Sequence, residues 1–301
     1  MTMRLVLEAL RKLGSKEFRV LNAVERGMAR FFYVPLEEIA RLSELSLEEV
    51  TLVTKRLNAL GLLQRNIGSY IGYILTSRGY DCLALNALRR RGVVEKMGAS
   101  PIGVGKESDV YPGLTPSGKL VAVKFHRVGR VSFRHTRRVR VYIGDRRHIS
   151  WLYQSRLAAK SEFEALRLLF TARVSVPRPI DWNRHIVVTD YVEGVELFKA
   201  PPLSKVQEFK ERVIEEVKKA YRAGVVHGDL SEYNVLVVES EIPVLFDWPQ
   251  WVSSSHPMAL HYLKRDLENL LKFFRRKYNL NIGIDEEVSR VIAALGASEH
   301  T

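Results

Sequence analysis

Apolar positions over roughly the first 95 residues predict short helices and then a hairpin. Leu5, Leu7, Leu10 and Leu13 precede a second amphipathic stretch with Phe18, Val20, Leu21 and Val24, and Pro35 opens a third over Leu36 to Leu42. Ser46-Leu47-Glu48-Glu49 is a capping box, in which Ser46 accepts from the Glu49 amide while the Glu49 carboxylate reaches back. The helix it starts carries Leu47, Val50, Leu57 and Leu60 on one stripe and stops at Gly61, a favoured residue at a helix end. Leu62 to Thr76, with Gly68 and Gly72, reads as a hairpin. A helix from about Ser77 to Arg91 follows and ends in Arg89-Arg90-Arg91.

Helix, turn, capped helix and hairpin in this order look like a winged helix-turn-helix domain, predicted over residues 1–92. The capped helix would be the reader of a groove, with Thr51, Lys55, Arg56 and Asn58 facing outward toward phosphates or base edges. Glu48 and Glu49 put negative charge at its start, so a protein partner fits the same helix and both readings stand open.

A boundary is predicted between Gly92 and Ser100. Beyond it, Ile102-Gly103-Val104-Gly105-Lys106-Glu107-Ser108-Asp109-Val110-Tyr111 sets apolar residues around a glycine pair. That is a strand-turn-strand pattern whose bare backbone at Gly103 and Gly105 can approach phosphates. A Walker A loop is excluded, because it needs Gly where Ser100 stands and Ser or Thr where Glu107 stands. One strand later, Val121-Ala122-Val123-Lys124 matches the Val-Ala-x-Lys of a kinase third strand. A lysine in mid-strand costs stability unless an anion meets it. The helix predicted from about Ser150 to Phe170 offers Glu162 and Glu164, either of which could pair with it. Pro177-Arg178-Pro179 then breaks the chain before a strand over Ile186 to Asp190 and a turn reaching Gly194.

The chemistry concentrates in His227-Gly228-Asp229-Leu230-Ser231-Glu232-Tyr233-Asn234, followed by Phe246-Asp247-Trp248-Pro249-Gln250. An acid after His-Gly, an amide five positions on and a second acid after an apolar run form a phosphoryl-transfer pattern. In such a pattern one Asp accepts a hydroxyl proton, while an Asn and a second Asp hold magnesium on the nucleotide phosphates.

Charge adds a second theme. The 301 residues carry a formal net charge of +13, which favours a polyanionic partner. Arg127, Arg130, Arg134, Arg137, Arg138, Arg140, Arg146 and Arg147 are answered only by Asp145, with Phe133 and Tyr142 interleaved. Guanidinium forks suit phosphate and aromatic rings suit unpaired bases. The single cysteine, Cys82, forms no internal disulfide and reads as apolar filler. No uninterrupted apolar run reaches about 18 residues, so no membrane association and a cytoplasmic (cytosolic) location are expected.

Taken together, Gly103 to Tyr111, Lys124-Phe125-His126-Arg127, His227-Gly228-Asp229 and Asp247-Trp248-Pro249-Gln250 give a chain that resembles the RIO atypical protein kinases. The winged-helix pattern, Ser132-Phe133-Arg134 and Ser150-Trp151-Leu152-Tyr153-Gln154-Ser155-Arg156 point to the type-two branch. The resemblance implies an α+β fold in which the winged helix-turn-helix domain precedes a bilobal kinase-like domain over residues 93–301. The N-lobe would run over about 93–190 and the C-lobe over about 191–301. It implies Asp229 as catalytic base, Asn234 and Asp247 as metal ligands, and Lys124 as the phosphate lysine paired with Glu162. Lys106, Glu107 and Ser108 would lie over the phosphates, and backbone near Asp190 and Val192 would hold adenine. The implied cofactors are ATP and Mg2+ (or Mn2+). The implied partners are small-subunit ribosomal RNA or a pre-ribosomal particle, with a protein substrate as a further expectation. The resemblance also suggests a phosphoaspartate at Asp247. Gly228 stands where ordinary kinases carry a catalytic-loop Arg, no Ala-Pro-Glu follows Asp247, and Trp248 replaces the family's usual Phe.

Three functions follow from these residues and from what the resemblance implies. The leading expectation is an ATP-dependent kinase or ATPase acting in small-subunit maturation with nucleotide-gated RNA binding. The others are an RNA-docking protein that uses ATP only to order itself, and a small-molecule phosphotransferase, which shares His-Gly-Asp and a later Asn.

Overall fold

The computed structural model describes residues 3–68, 70–128 and 151–296. Most of the arginine-rich stretch, from Arg130 to Arg147, lies outside the described residues.

The N-terminal domain comprises α1 (Met3–Leu10), α2 (Ser15–Gly27), β1 (Val34–Pro35), α3 (Leu36–Ser43), α4 (Leu47–Ala59), β2 (Leu63–Ile67), β3 (Ile71–Leu75) and α5 (Ser77–Arg90). The three strands form one sheet in the order β1-β3-β2, giving a winged helix-turn-helix. The α4 capping box forms as expected, with Ser46 Oγ accepting from Glu49 N at 3.2 Å and Ser46 N donating to the Glu49 carboxylate at 3.0 Å. One detail departs from the sequence pattern. Leu47 is exposed, because the buried stripe of α4 runs through Val50, Thr54 and Leu57; Thr54 enters it by donating its hydroxyl to Val50 O at 2.7 Å. The hairpin forms as expected, and Gly72 lies within its second strand, opposite Asn66. A side chain there would come within 2.8 Å of Tyr33 Cβ and 2.9 Å of the Tyr70 ring.

The N-lobe is a six-stranded sheet built from β4 (Lys96–Met97), β5 (Gly103–Val104), β6 (Ser108–Leu114), β7 (Leu120–His126), β8 (Pro179–Asn183) and β9 (Ile186–Asp190). Its order is β4-β6-β7-β9-β8, with β5 paired to β6. Strand β7 sits at the centre, antiparallel to β6 and β9, so Lys124 faces Val110 on one side and Val187 on the other. Helix α6 (Trp151–Thr171) packs against this sheet. The C-lobe holds α7 (Val206–Arg222), α8 (Ala259–Tyr278) and α9 (Ile284–Gly296) around two small sheets. One has the order β10 (Val195–Glu196), β12 (Val235–Val238), β13 (Ile242–Leu245); the other pairs β11 (Val225–Val226) with β14 (Val252–Ser253).

Two apolar cores organise these elements. One fills the C-lobe and extends to the inner face of α6 through Ala165, Leu166 and Leu169. The other runs without a break from the winged-helix helices into the N-lobe sheet, joining Val24, Tyr80 and Leu88 to Tyr111, Phe125 and Ile186. Shared apolar burial of this kind leaves the two parts little freedom to hinge.

Candidate active site

Lys124 leaves the central strand toward α6, where its Nζ meets Glu162 Oε1 at 2.6 Å and Asp247 Oδ1 at 2.5 Å. Burial alone would strip this amine of its proton, but Asp247 and Glu162 outweigh it and hold its pKa above the ordinary lysine value. Burial would likewise raise Glu162, yet Lys124 and His126 keep that carboxyl below the usual carboxylate range. His126 Nε2 lies 2.7 Å from Glu162 Oε2. Glu164, the other candidate partner, instead sits 3.6 Å from Lys160 on the exposed side of the helix.

Asp247 follows β13 with φ of 68°, a left-handed conformation that costs an L residue roughly 1–2 kcal/mol. The turn it makes delivers Trp248 N to Glu162 Oε1 at 3.3 Å, so a single carboxylate oxygen joins the lysine to the acid's own loop. The Trp248 indole is buried against His227, with ring centroids 4.4 Å apart, and its Nε1 donates to Leu245 O at 3.3 Å. The larger ring is thus packed and its polar atom satisfied.

The loop carrying Asp229 follows β11. Burial drives the His227 pKa down to about 4, so its neutral ring Nε2 donates to Phe246 O at 3.1 Å and ties the two acidic loops together. Gly228 has φ of 77°, and a Cβ there would lie 2.9 Å from Gln250 O, two reasons for glycine at this point. Asp266 of α8 supports the loop from below. Its carboxylate accepts from Gly228 N at 2.8 Å and Leu230 N at 3.0 Å, while the Arg265 guanidinium donates to Gly228 O. Burial lifts the Asp266 carboxyl up to about 7 against the pull of those two amides. Asp229 reaches solvent on one side, with the loop walls crowding the other. Partial desolvation raises its pKa, opposed by Arg265 and aided by the charge of Asp247.

Two cavities meet at Asp247. The larger, about 500 Å³, lies between the N-lobe strands and the C-lobe and is lined by Gly103, Lys124, Glu162, Asp190, Val192 and Phe246 among others. Asp190 N donates to Arg178 O at 2.9 Å, its carboxylate accepts from Lys119 Nζ at 2.7 Å, and its carbonyl accepts from the Thr189 hydroxyl at 3.1 Å. The smaller, about 250 Å³, has Gly105, Lys106, Glu107 and Ser108 on one side, with Asp229 and Asp247 on the other. Asn234 lines neither cavity. Its Oδ1 accepts from Ser231 Oγ at 3.1 Å, and its carbonyl accepts from Phe246 N at 3.0 Å, next to Asp247.

Among the described residues no group of three or more His, Cys, Asp or Glu could hold a metal. Asp247 and the Asn234 amide are the oxygen donors here that could hold magnesium, an ion that keeps waters and takes further ligands from phosphates. Sequence reasoning did not single out Asp266 or His126. Asp266 lay in an ordinary helical pattern, and His126 entered only as part of a motif.

The chain matches the family described as the RIO domain over residues 109–287, and that described as Rio2, N-terminal, over residues 10–91. The chain belongs to the RIO kinase family. It is 45% identical over 255 residues to the RIO-type serine/threonine-protein kinase Rio2 of Methanocaldococcus jannaschii, covering 83% of this chain and 92% of that one. Against the serine/threonine-protein kinase RIO2 of Caenorhabditis elegans it is 40% identical over 278 residues, which cover 92% of this chain and 52% of the relative. It thus spans about half the length of that nematode protein. In three dimensions it resembles the Rio2 kinase-ADP/Mg2+-phosphoaspartate complex from Chaetomium thermophilum, with a TM-score of 0.81 and 31% identity. That match covers 98% of this chain and 94% of the other. The chain is therefore an atypical kinase of the Rio2 branch.

Proposed function

We propose that this kinase binds ATP with magnesium between its lobes and transfers the γ-phosphoryl group, either to a serine or threonine or, in two steps, to water. We place that chemistry in maturation of the small ribosomal subunit, with the bound nucleotide gating the protein's hold on pre-ribosomal RNA. The observation that carries the chemical half is the buried Lys124–Glu162–Asp247 cluster standing where the two cavities meet, with Asp229 across the smaller one.

In this reading the larger cavity takes the adenosine, with its base at the backbone near Asp190 and Val192. Lys124 holds phosphate oxygens, and Gly105 to Ser108 cover the phosphates from above. Asp247 and Asn234 would hold the magnesium, which would supply charge neutralisation at the phosphates. Asp229, with its raised pKa, takes the proton of the attacking hydroxyl. The solved Chaetomium relative is described as a phosphoaspartate complex. By extension, an Asp247 carboxylate oxygen bonds to the γ-phosphorus as the bond to the ADP oxygen breaks; water, losing its proton to Asp229, then releases phosphate and restores the carboxylate. The RNA half rests on the net charge of +13, the arginine-rich stretch and the family's association with ribosome maturation. The outward side of α4 gives it little support: Arg56 is bound to Glu17 at 2.6 Å and to Lys12 O at 2.8 Å, and Asn58 Oδ1 accepts from Arg65 N.

Crosslinking in cells followed by sequencing of the bound RNA tests the biological half. Enrichment of small-subunit ribosomal RNA, lost when Arg137, Arg138 and Arg140 are neutralised, is the expected result. No enrichment in the unaltered protein would refute it.

A further inference from the structure

We propose that the winged-helix domain positions the loop over the smaller cavity through Arg127, a positioning residue gripped by Asp81. Arg127 directly follows β7. Its guanidinium makes a bidentate pair with Asp81 of α5, at 2.6 Å and 2.9 Å, and His185 Nε2 reaches the same carboxylate at 2.7 Å. All three side chains are buried. Burial pushes His185 down to about 4, so it joins as a neutral donor, while the buried Asp109 carboxyl lies 3.7 Å from the guanidinium Nε, so one guanidinium faces two carboxyl groups.

The backbone of the same residue faces the site. Arg127 N donates to Glu107 O at 2.6 Å, in the loop that bounds the smaller cavity. On one side His126 touches Glu162, the partner of Lys124; on the other Val128 N donates to Ser155 Oγ of α6 at 3.1 Å. Arg127 therefore links the winged helix to the loop, and its neighbours His126 and Val128 tie the same stretch to the lysine's carboxylate and to the helix that carries it. Adhesion between the two parts does not require this pair, since a continuous apolar core already joins them. A buried ion pair adds little stability over apolar packing, whereas its bidentate geometry fixes direction.

The inference concerns the loop itself, and its consequence for nucleotide rests on the function proposed above. The experiment is amide hydrogen exchange on the full chain without nucleotide, read at Arg127 and over residues 105–108, followed by magnesium-ATP binding. Asp81→Asn is compared with the double variant Asp81→Leu/Arg127→Met, which removes both members of the bidentate pair while keeping apolar bulk, and with the triple variant that adds Asp109→Asn so that no buried charge is left unpaired. All three are expected to exchange about tenfold faster at these amides and to bind nucleotide about tenfold more weakly, within the usual range of coupling between sites. Exchange and affinity equal to those of the unaltered protein, with only a lower melting temperature, would overturn the proposal and reduce the pair to adhesion. Should the unaltered chain bind no nucleotide, the function proposed above fails, while the exchange rates still decide for or against the bridge.

Discussion

Replacing Asp266 by Asn tests how the catalytic loop is held. The carboxylate accepts from two backbone amides, Gly228 N and Leu230 N, in a site almost closed to water. An asparagine carbonyl can serve only one of them and turns an NH2 toward the other, leaving one buried donor unsatisfied at about 1–3 kcal/mol. The native carboxyl also has its pKa raised from 3.8 to about 7. Between those values the folded chain keeps a proton that the unfolded chain has released, so this group's contribution to stability falls as pH rises through the window. Asparagine does not titrate. Urea melts of Asp266→Asn should therefore show a deficit of about 2 kcal/mol near pH 5, equivalent to about 4 °C or more in melting temperature, and no deficit or a reversed one near pH 8. A deficit that stays constant or widens with pH would mean that the two amides win over burial and keep the carboxylate ionised, contradicting the reasoning.

Three shorter predictions follow. Gly228→Ala must accept a positive φ and a methyl 2.9 Å from Gln250 O, so it should lose at least about 1–2 kcal/mol in a urea melt; an unchanged midpoint would show that the loop relaxes freely. Lys124→Met leaves Glu162 and Asp247 facing each other without the shared cation and should weaken magnesium-ATP binding by tenfold or more in calorimetry, while undiminished affinity would remove Lys124 from the phosphate site. Because Asp229 must be ionised to act as base and its pKa is raised, kcat/KM should fall with acid along a limb lying above the ordinary aspartate value of 3.8. A limb at or below that value would exclude Asp229 as the titrating group.

The features legible in the sequence were local ones. The α4 capping box needs only residues three apart, and a lysine inside an apolar strand announces an anionic partner before any partner is known. Choosing between Glu162 and Glu164 took the family resemblance, and the geometry then showed Glu162 under Lys124 and Glu164 against Lys160. What stayed hidden depends on contacts between distant segments. Asp266 lies 38 positions from Gly228, and Asp81 lies 46 from Arg127, so neither pairing leaves a trace in spacing or periodicity. The unbroken core between winged helix and N-lobe is hidden for the same reason: each element's apolar stripe is visible, but not which other stripe covers it. Arg56 and Asn58 show the converse, since an outward helical position says nothing about a neighbour that already occupies it.

The central claim is phosphoryl transfer from ATP at the junction of the two cavities, and single-turnover labelling with γ-phosphate-labelled ATP and magnesium tests it most directly. The expected result is label on the protein in a hydroxylamine-sensitive bond that Asp247→Asn abolishes, and phosphate release that Asp229→Ala slows severely. Neither labelled protein nor released phosphate from the unaltered chain, or release indifferent to Asp229→Ala, would contradict it.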